Sequence, residues 1–285
     1  MKESLFKDAD GKEYGALDIK NALMNIGAHD CEGLLLHSDI MFGIPDTGFR
    51  KKEYLHTLYE IIESLNVKYL LVPTFTYSYC NHEDYDVLNS KTSMGALNEY
   101  IRKQEGRYRT LDPLLSLSVP VDLEAKFNHL SNHSLGVGSA LDVIHQMDGI
   151  KFLFFGARLG NCFTYVHYLE KMLDVPYRFD MSFQGNTIDA MGINQTTTQY
   201  IHTACYGVKP ADYYYFEDEL QDKGMLRKQK LVNSSVACIS EKDAYQEIKK
   251  KVETDINYFL EQPFTESDLE HKYTKGLDGT RITHC

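Results

Sequence analysis

Three features that often reveal the class of a protein are missing from this 285-residue chain. Its six cysteines form no C-x-x-C pair, the local spacing that zinc and redox sites usually need. No apolar run approaches the roughly 18–20 residues that span a bilayer. Basic residues number 30 against 41 acidic ones, whereas nucleic-acid binding relies on basic side chains to neutralise phosphates. We therefore expect no metal site, no membrane partner and no nucleic-acid partner.

The rest of the composition is that of an ordinary globular protein. Hydrophobic residues make up 43% and charged residues 25% of the chain, which argues against wholesale disorder. Dispersed cysteines suit a reducing compartment, and the charged first eight residues contain no apolar signal core, so we expect a cytoplasmic protein. No repeat or linker is evident, which predicts a single domain over residues 1–285 with a loosely held tail at 263–285. We expect a monomer or a homodimer.

Apolar strands alternate with amphipathic helices through the first half of the chain. We predict strands at 33–37, 67–72 and 150–155, and helices at 18–26, 51–66, 95–103, 138–147 and 163–173. Strands that are apolar throughout are typical of a sheet covered on both faces. The sequence thus predicts an α/β fold with a central, mostly parallel or mixed sheet flanked by helices on both faces. Later segments rich in tyrosine and β-branched residues predict strands at 196–206 and 212–216, followed by a helix at 244–261.

The pair His167 and Glu170 is the first candidate for chemistry. On a helix these two residues are separated by i, i+3 and share a face. A carboxylate beside an imidazole fixes the orientation of the ring and helps it accept a proton near neutral pH. The helix follows a strand and a glycine-rich turn, the place where open α/β sheets build their active sites. A surface ion pair or a polar pair satisfied in the core would leave the same pattern.

Three further segments could hold a ligand. A buried strand runs into Pro73, and the residues after it could expose backbone amides to an extended ligand. Arg107, Arg109 and nearby hydroxyls precede a proline turn and could bind phosphates by charge and bidentate geometry. Another strand ends at His37 and Ser38, which could offer further donors. Each segment taken alone also fits an ordinary loop.

The order of these segments carries more information than any one of them. The chain reads V-P-T-F-T at residues 72–76, R-T-L-D-P-x-x-S at 109–116, G-V-G-S at 136–139, T-x-x-H-x-x-E at 164–170 and V-P-Y-R at 175–178. Over roughly residues 15–260 this series resembles the aminoglycoside 3-N-acetyltransferase family. The resemblance implies a single α/β domain, acyl-CoA as co-substrate, an amine on a small amino sugar as acceptor, and no metal.

The resemblance also assigns roles to particular positions. It makes His167 and Glu170 the catalytic dyad. The coenzyme A groove would follow the segments that match the family, namely His37, Ser38, Pro73, Thr74, Phe75, Arg109, Thr110 and Ser116. We expect the acceptor at Tyr77, Tyr79, Asp86, Asn161 and Thr164. Direct transfer to the amine needs no cysteine nucleophile, so an acyl-enzyme on Cys162 is the less favoured route.

Departures from the family pattern bear on the acceptor. Asp112 and Leu115 stand where drug-modifying members have two histidines, and the neutral Asn161 stands where an acidic residue would help to hold a polycation. These differences favour a nucleotide-linked amino sugar, such as a dTDP-amino-deoxyhexose in surface polysaccharide (lipopolysaccharide) biosynthesis. The alternative is an aminoglycoside 3-N-acetyltransferase that confers antibiotic resistance. A non-catalytic relative that binds coenzyme A or a sugar, and a metal-dependent hydrolase, are more distant options.

Overall fold

A seven-stranded mixed sheet forms the centre of the computed structural model, which describes residues 4–46, 48–270 and 272. Two smaller three-stranded sheets accompany it. The strands are β1 (Phe6–Lys7), β2 (Glu13–Tyr14), β3 (Gly33–Ser38), β4 (Ile44–Pro45), β5 (Tyr69–Pro73), β6 (Tyr85–Asp86), β7 (Arg107–Arg109), β8 (Leu117–Pro120), β9 (Ile150–Phe155), β10 (Arg178–Ile188), β11 (Asn194–Ala204), β12 (Arg227–Leu231) and β13 (Ser234–Ser240).

Helices connect and cover these strands. They are α1 (Ala16–Asn25), α2 (Lys51–Glu63), α3 (Ala96–Ile101), α4 (Glu124–Phe127), α5 (Ala140–His145), α6 (Leu159–Cys162), α7 (Tyr165–Met172), α8 (Tyr214–Asp222), α9 (Glu241–Thr254) and α10 (Glu266–Glu270), with 3₁₀ turns at Tyr79–Asn81 and Val121–Leu123. In the part of the chain that the structure describes, no helix has the length and apolar character needed to cross a membrane.

The central sheet has the strand order β12-β13-β9-β3-β5-β8-β7, in which β9, β3 and β5 run parallel and the outer pairs run antiparallel. Alternate residues of the parallel strands face two different cores. Leu35 and Phe152, which lie opposite each other in the register, belong to one core, whereas Leu34 and Leu153 belong to the other. This explains why the strands are apolar throughout, and it confirms the predicted α/β fold with a mixed sheet.

Helices flank the sheet on both faces, as predicted. The helices α1, α2 and α3 contribute side chains such as Ile19, Leu58 and Leu97 to the second core. The first core receives α5, α7, α8 and α9, whose contributions include Val166 and Ile248. Each helix therefore buries one apolar stripe against one face of the sheet.

The later part of the chain corrects one predicted strand and shifts the bounds of a second strand and of a helix. Residues 212–216 are not a strand, because α8 begins at Tyr214 and buries Phe216 and Leu220 at helical spacing. The helix predicted at 244–261 is α9, which spans Glu241–Thr254 and so ends before the predicted bound. It begins earlier than predicted because Ser240 caps it by accepting a hydrogen bond from the Asp243 amide at 3.0 Å. The predicted strand at 196–206 is β11. Of the tail at 263–285, the described part includes α10, while 271 and 273–285 lie outside the described residues.

A long antiparallel hairpin of β10 and β11 forms the second sheet, with the short β6 added in parallel at its edge. The Tyr79 hydroxyl ties this hairpin to the body of the protein through the hydroxyls of Thr187 and Thr197, at 2.7 and 2.8 Å. The third sheet, of order β2-β1-β4, lies near the start of the chain.

The carboxyl ends of β3, β5 and β9 meet at one edge of the central sheet, as parallel neighbours must. Gly156 ends β9 with a φ of 78°, and a Cβ at this position would lie 1.7 Å from the Asp39 carbonyl oxygen. Only glycine permits so close an approach of two chain segments. This packing holds the segments after β3 and β9 together beside a cleft that Pro73, at the end of β5, also lines.

Candidate active site

An imidazole and a carboxylate lie one turn apart on α7. The Nδ1 atom of His167 is 2.7 Å from Oε2 of Glu170. Both residues are buried, with 7% of His167 and 1% of Glu170 exposed, which excludes a surface ion pair. The helix begins after Thr164, whose carbonyl oxygen accepts the His167 amide at 2.9 Å, and it ends before Asp174, which has a φ of 50°.

Two residues just beyond this helix complete the group. The Nε atom of Arg178 lies 2.7 Å from Glu170 Oε2, an ion pair in which the N–H is not aimed along a hydrogen bond. The Tyr177 hydroxyl donates to Glu170 Oε1 at 2.9 Å. The V-P-Y-R motif contains both residues, but the sequence analysis gave them no role. Because an arginine is almost never fully buried without a partner, a buried Arg178 would have indicated a nearby carboxylate.

The protonation of the group follows from these contacts. Burial raises the pKa of the Glu170 carboxyl, but the Arg178 charge, the His167 hydrogen bond and the Tyr177 hydroxyl outweigh it and hold this pKa at about 2. Glu170 is therefore an ionised acceptor. Arg178 Nη2 also lies 2.8 Å from His167 Nδ1, so guanidinium and carboxylate compete for this nitrogen. When Nδ1–H donates to Glu170, the other ring nitrogen, Nε2, is free of a proton and can act as a base.

A cleft of about 360 Å³ opens at the carboxyl ends of the parallel strands. Five of the predicted ligand-binding residues line it, namely His37, Ser38, Pro73, Phe75 and Thr164. The remaining wall includes Cys162 and the start of α3. His167 is not among the described residues of the lining, but it lies one turn along α7 from Thr164. The cleft therefore reaches the helix that carries the dyad.

His37 contributes a neutral ring to this cleft. Burial lowers the pKa of His37 to about 4, and the ring stacks on Phe154 at a centroid distance of 5.0 Å. Its Nδ1 atom is buried and has no hydrogen-bond partner within the described residues. Beside it the Ser38 hydroxyl donates to Asn98 Oδ1 at 2.7 Å, and Asn98 Nδ2 donates to the Pro73 carbonyl at 2.9 Å. Asn98, which the sequence analysis missed, thus joins the ends of β3 and β5.

Comparison with known proteins identifies the family. The sequence model described as aminoglycoside 3-N-acetyltransferase matches residues 62–253, more than half of the chain. The chain belongs to this family. As a member of the aminoglycoside 3-N-acetyltransferase family, it is an acyl-CoA-dependent N-acyltransferase. A comparison with curated proteins finds no significant match.

Solved structures of the same kind share the fold. The apoenzyme of aminoglycoside acetyltransferase AAC(3)-IVa is 16% identical with a TM-score of 0.68, over 92% of this chain and 94% of that one. Sisomicin-bound AAC-VIa is 15% identical with a TM-score of 0.70, over 85% and 99%. The binary complex of AAC-IIIb with CoASH is 18% identical with a TM-score of 0.65, over 88% and 98%.

Four residues predicted to bind coenzyme A lie inside the protein instead of in the cleft. Thr74, Arg109, Thr110 and Ser116 are buried and are not among the described residues of the cleft lining. The Arg109 guanidinium donates to the carbonyl oxygens of Thr74, Val87 and Ser90, at 2.7, 3.1 and 2.7 Å. These hydrogen bonds connect the loops that contain the three carbonyls. The guanidinium N–H groups that make them are directed into the protein and do not face a phosphate in the cleft.

The predicted acceptor-binding residues are dispersed. Tyr77 and Tyr79 are buried, with 3% and 1% exposed, and Tyr79 anchors the hairpin. Asp86 accepts hydrogen bonds from the amides of residues 88 and 89, both at 2.9 Å, and so closes a turn. Asn161 is exposed on α6, and only Thr164 reaches the cleft.

The chemistry of Cys162 does not suggest an acyl-enzyme. Its thiol donates to the Arg158 carbonyl at 3.0 Å, and burial raises its pKa, so the reactive thiolate is disfavoured. Among the described residues, no group of three or more His, Cys, Asp or Glu side chains is arranged to hold a metal ion.

Gly160 packs closely against α8, and alanine at this position is expected to destabilise the protein. An added Cβ would lie 2.2 Å from Cδ1 of Tyr214, a ring that the Arg158 guanidinium covers at 4.1 Å. Overpacking of this kind costs about 1–3 kcal/mol. Urea unfolding of Gly160→Ala measures the loss. The exposed neighbour provides the control, because Asn161→Ala should stay within about 0.5 kcal/mol of the parent. Equal stability of the two variants would contradict this account of the packing.

Proposed function

We propose that the protein transfers an acetyl group from acetyl-CoA to an amine of an aminoglycoside. The buried His167–Glu170 pair beside a ligand-sized cleft supports this proposal most directly. Family membership adds support, as do relatives whose structures contain sisomicin or CoASH. These findings favour aminoglycoside transfer over the nucleotide-sugar role, for which the departures at Leu115 and Asn161 are the remaining argument.

In the proposed mechanism both substrates are bound before chemistry begins. The acceptor nitrogen attacks the thioester carbonyl carbon while His167 Nε2 removes a proton from that nitrogen. The C–N bond forms and the C–S bond breaks. The imidazole then donates the proton that it took from the nitrogen to the leaving sulfur. General base catalysis of this kind contributes about 10²–10⁴-fold. Glu170 stabilises the imidazolium that forms, and Arg178 keeps Glu170 ionised.

The cleft is the proposed site of the donor. Pro73 and Phe75 offer an apolar wall for the pantetheine arm, and the thioester would face Thr164 at the start of α7. The neutral ring of His37 adds no charge to this wall at neutral pH, because its pKa is about 4. The turn after Pro73 is a poor source of donors to the tetrahedral oxyanion, because the amides of Thr74 and Thr76 already donate to backbone carbonyl oxygens, at 2.8 and 3.1 Å.

A thiol-release assay on the full chain tests the function. With acetyl-CoA we expect rapid release of free thiol when sisomicin is added, and little with a dTDP-linked amino-deoxyhexose or without acceptor. Mass spectrometry should show sisomicin carrying one added acetyl group. Faster release with the nucleotide-linked sugar would reverse the preference between the two functions. Release with neither amine would reject aminoglycoside transfer.

A further inference from the structure

A second pocket, of about 270 Å³, lies between the β10–β11 hairpin and residues 127–132. We call it the hairpin pocket. Asp112 and Asp189 supply carboxylates to its wall, and amides and hydroxyls such as those of Gln195, Gln199 and Thr198 supply most of the other polar groups. No lysine, arginine or histidine is among the described residues that line it. A wall of this composition suits a positively charged, hydroxylated ligand and opposes a phosphate.

Asp112 has one carboxylate oxygen committed to the protein and one directed to the pocket. Its Oδ1 atom accepts from the amides of Leu114 and Leu115, at 2.8 and 3.0 Å, and from the Ser134 hydroxyl at 2.9 Å. Only 6% of the residue is exposed. Within the described chain Oδ2 accepts no hydrogen bond, and it is not among the fully enclosed unpartnered atoms, so it faces the pocket that Asp112 lines.

The orientation of this carboxylate is fixed before any ligand binds. Gln199 donates through Nε2 to the Ser134 hydroxyl at 3.0 Å, and Ser134 in turn donates to Asp112. Burial raises the pKa of the Asp112 carboxyl, and the hydrogen bonds from Leu114, Leu115 and Ser134 offset this rise only in part. A cation in the pocket would supply the remaining compensation.

The strand β11 connects the hairpin pocket to the residues that contact the dyad. Gln199 precedes His202 on β11 by three residues, about 10 Å along a strand. The His202 carbonyl accepts from Arg178 Nη1 at 3.1 Å, and Arg178 contacts His167. A ligand with several rings would have to span this separation to place one ring in the pocket and another at His167.

We propose that the hairpin pocket binds a ring of the acceptor that carries a protonated amine, with Asp112 as its counter-ion. This inference rests on the proposed function. The pocket would hold the acceptor by an amine other than the one that reacts.

Substitution of Asp112 by asparagine tests the assignment. Asp112→Asn keeps an Oδ1 atom for the three internal donors and removes the charge. Loss of a hydrogen bond to a charged group corresponds to about 10- to 100-fold in binding. We expect the KM for sisomicin, and its Kd measured by calorimetry on the CoA-loaded protein, to rise by that factor, while the KM for acetyl-CoA stays constant.

Two lysine variants keep the test decisive if Asp112→Asn folds poorly. Gln195→Lys places a cation in the lining, whereas Thr196→Lys places the same charge on the adjacent exposed residue, outside it. We expect weaker sisomicin binding for Gln195→Lys and parental binding for Thr196→Lys. Equal binding by both variants would overturn the assignment of the pocket.

The outcomes separate this inference from the proposed function. Normal turnover of sisomicin with unchanged KM and Kd in Asp112→Asn and Gln195→Lys would reject the hairpin pocket alone. Sisomicin that binds through Asp112 without being acetylated would retain the pocket and reject the function. A parent protein that neither binds nor acetylates sisomicin would reject both.

Discussion

Replacement of His167 by alanine is expected to lower kcat by about 10²–10⁴-fold, the range of general base catalysis. The KM for acetyl-CoA should change little, because His167 is not among the described residues that line the cleft. The fold should persist, since Glu170 keeps the Arg178 ion pair and the Tyr177 hydroxyl after the imidazole is removed. Steady-state kinetics of thiol release, with both substrates saturating, measures the effect.

A second histidine–glutamate pair provides the control. His145 Nδ1 lies 2.7 Å from Glu241 Oε1, and its ring stacks on Tyr245 at 4.1 Å, outside the described cleft lining. His145→Ala removes a comparable imidazole and should keep kcat near that of the parent. Turnover by His167→Ala at the parental rate would exclude His167 as the base and would leave the pair as polar side chains satisfied in the core.

Removal of Arg178 is expected to have the largest effect on stability. Arg178→Met leaves the Glu170 charge buried without its ion-pair partner, a change that costs about 3–5 kcal/mol. Turnover should also fall, because Glu170 then lacks the charge that keeps it ionised beside His167. Urea unfolding at neutral pH measures the free energy, and the double variant Arg178→Met/Glu170→Gln should recover part of it. If Arg178→Met were as stable as the parent, the ion pair would make no net contribution to the free energy of unfolding.

The same ion pair predicts a pH dependence. The Glu170 pKa is about 2 in the folded protein, below the ordinary value of 4.5. This difference stabilises the folded state above pH 4.5, and the contribution disappears as pH falls from there towards 2. In Arg178→Met the guanidinium no longer opposes burial, and only the His167 and Tyr177 contacts still lower the carboxyl pKa, so this pKa rises and the acid-side loss should shrink. Parallel unfolding curves for the two proteins between those pH values would contradict the assignment.

Local pattern was sufficient for much of the fold. Strands such as β3 and β9 are apolar throughout because both faces are buried, and the sequence shows this directly. β10 was not predicted, because only some of its residues are buried and its sequence lacks a continuous apolar run. Residues 212–216 were assigned to a strand on their tyrosine content, but helical spacing of Phe216 and Leu220 decides their conformation.

The site shows the same division between local and distant contacts. The i, i+3 spacing of His167 and Glu170 could be read from the sequence, since one helix turn joins them. Arg178 comes to this pair only after a turn and a change of direction, so spacing gave no indication of it. Arg109 was expected at a phosphate because arginines suit that ligand, but backbone carbonyls of three loop residues use its donors instead.

The β10–β11 hairpin starts next to the His167–Glu170 pair, and its tip lines the hairpin pocket. Its first residue, Arg178, contacts His167, while Asp189 and Gln195 near its tip line the hairpin pocket. Tyr79 fixes the position of the outer half through Thr187 and Thr197. On the proposed assignment, insertions or deletions at the tip would change which amines bind while leaving Arg178 and the dyad in place. The range of acceptors and the catalytic group could then change independently of each other within one hairpin.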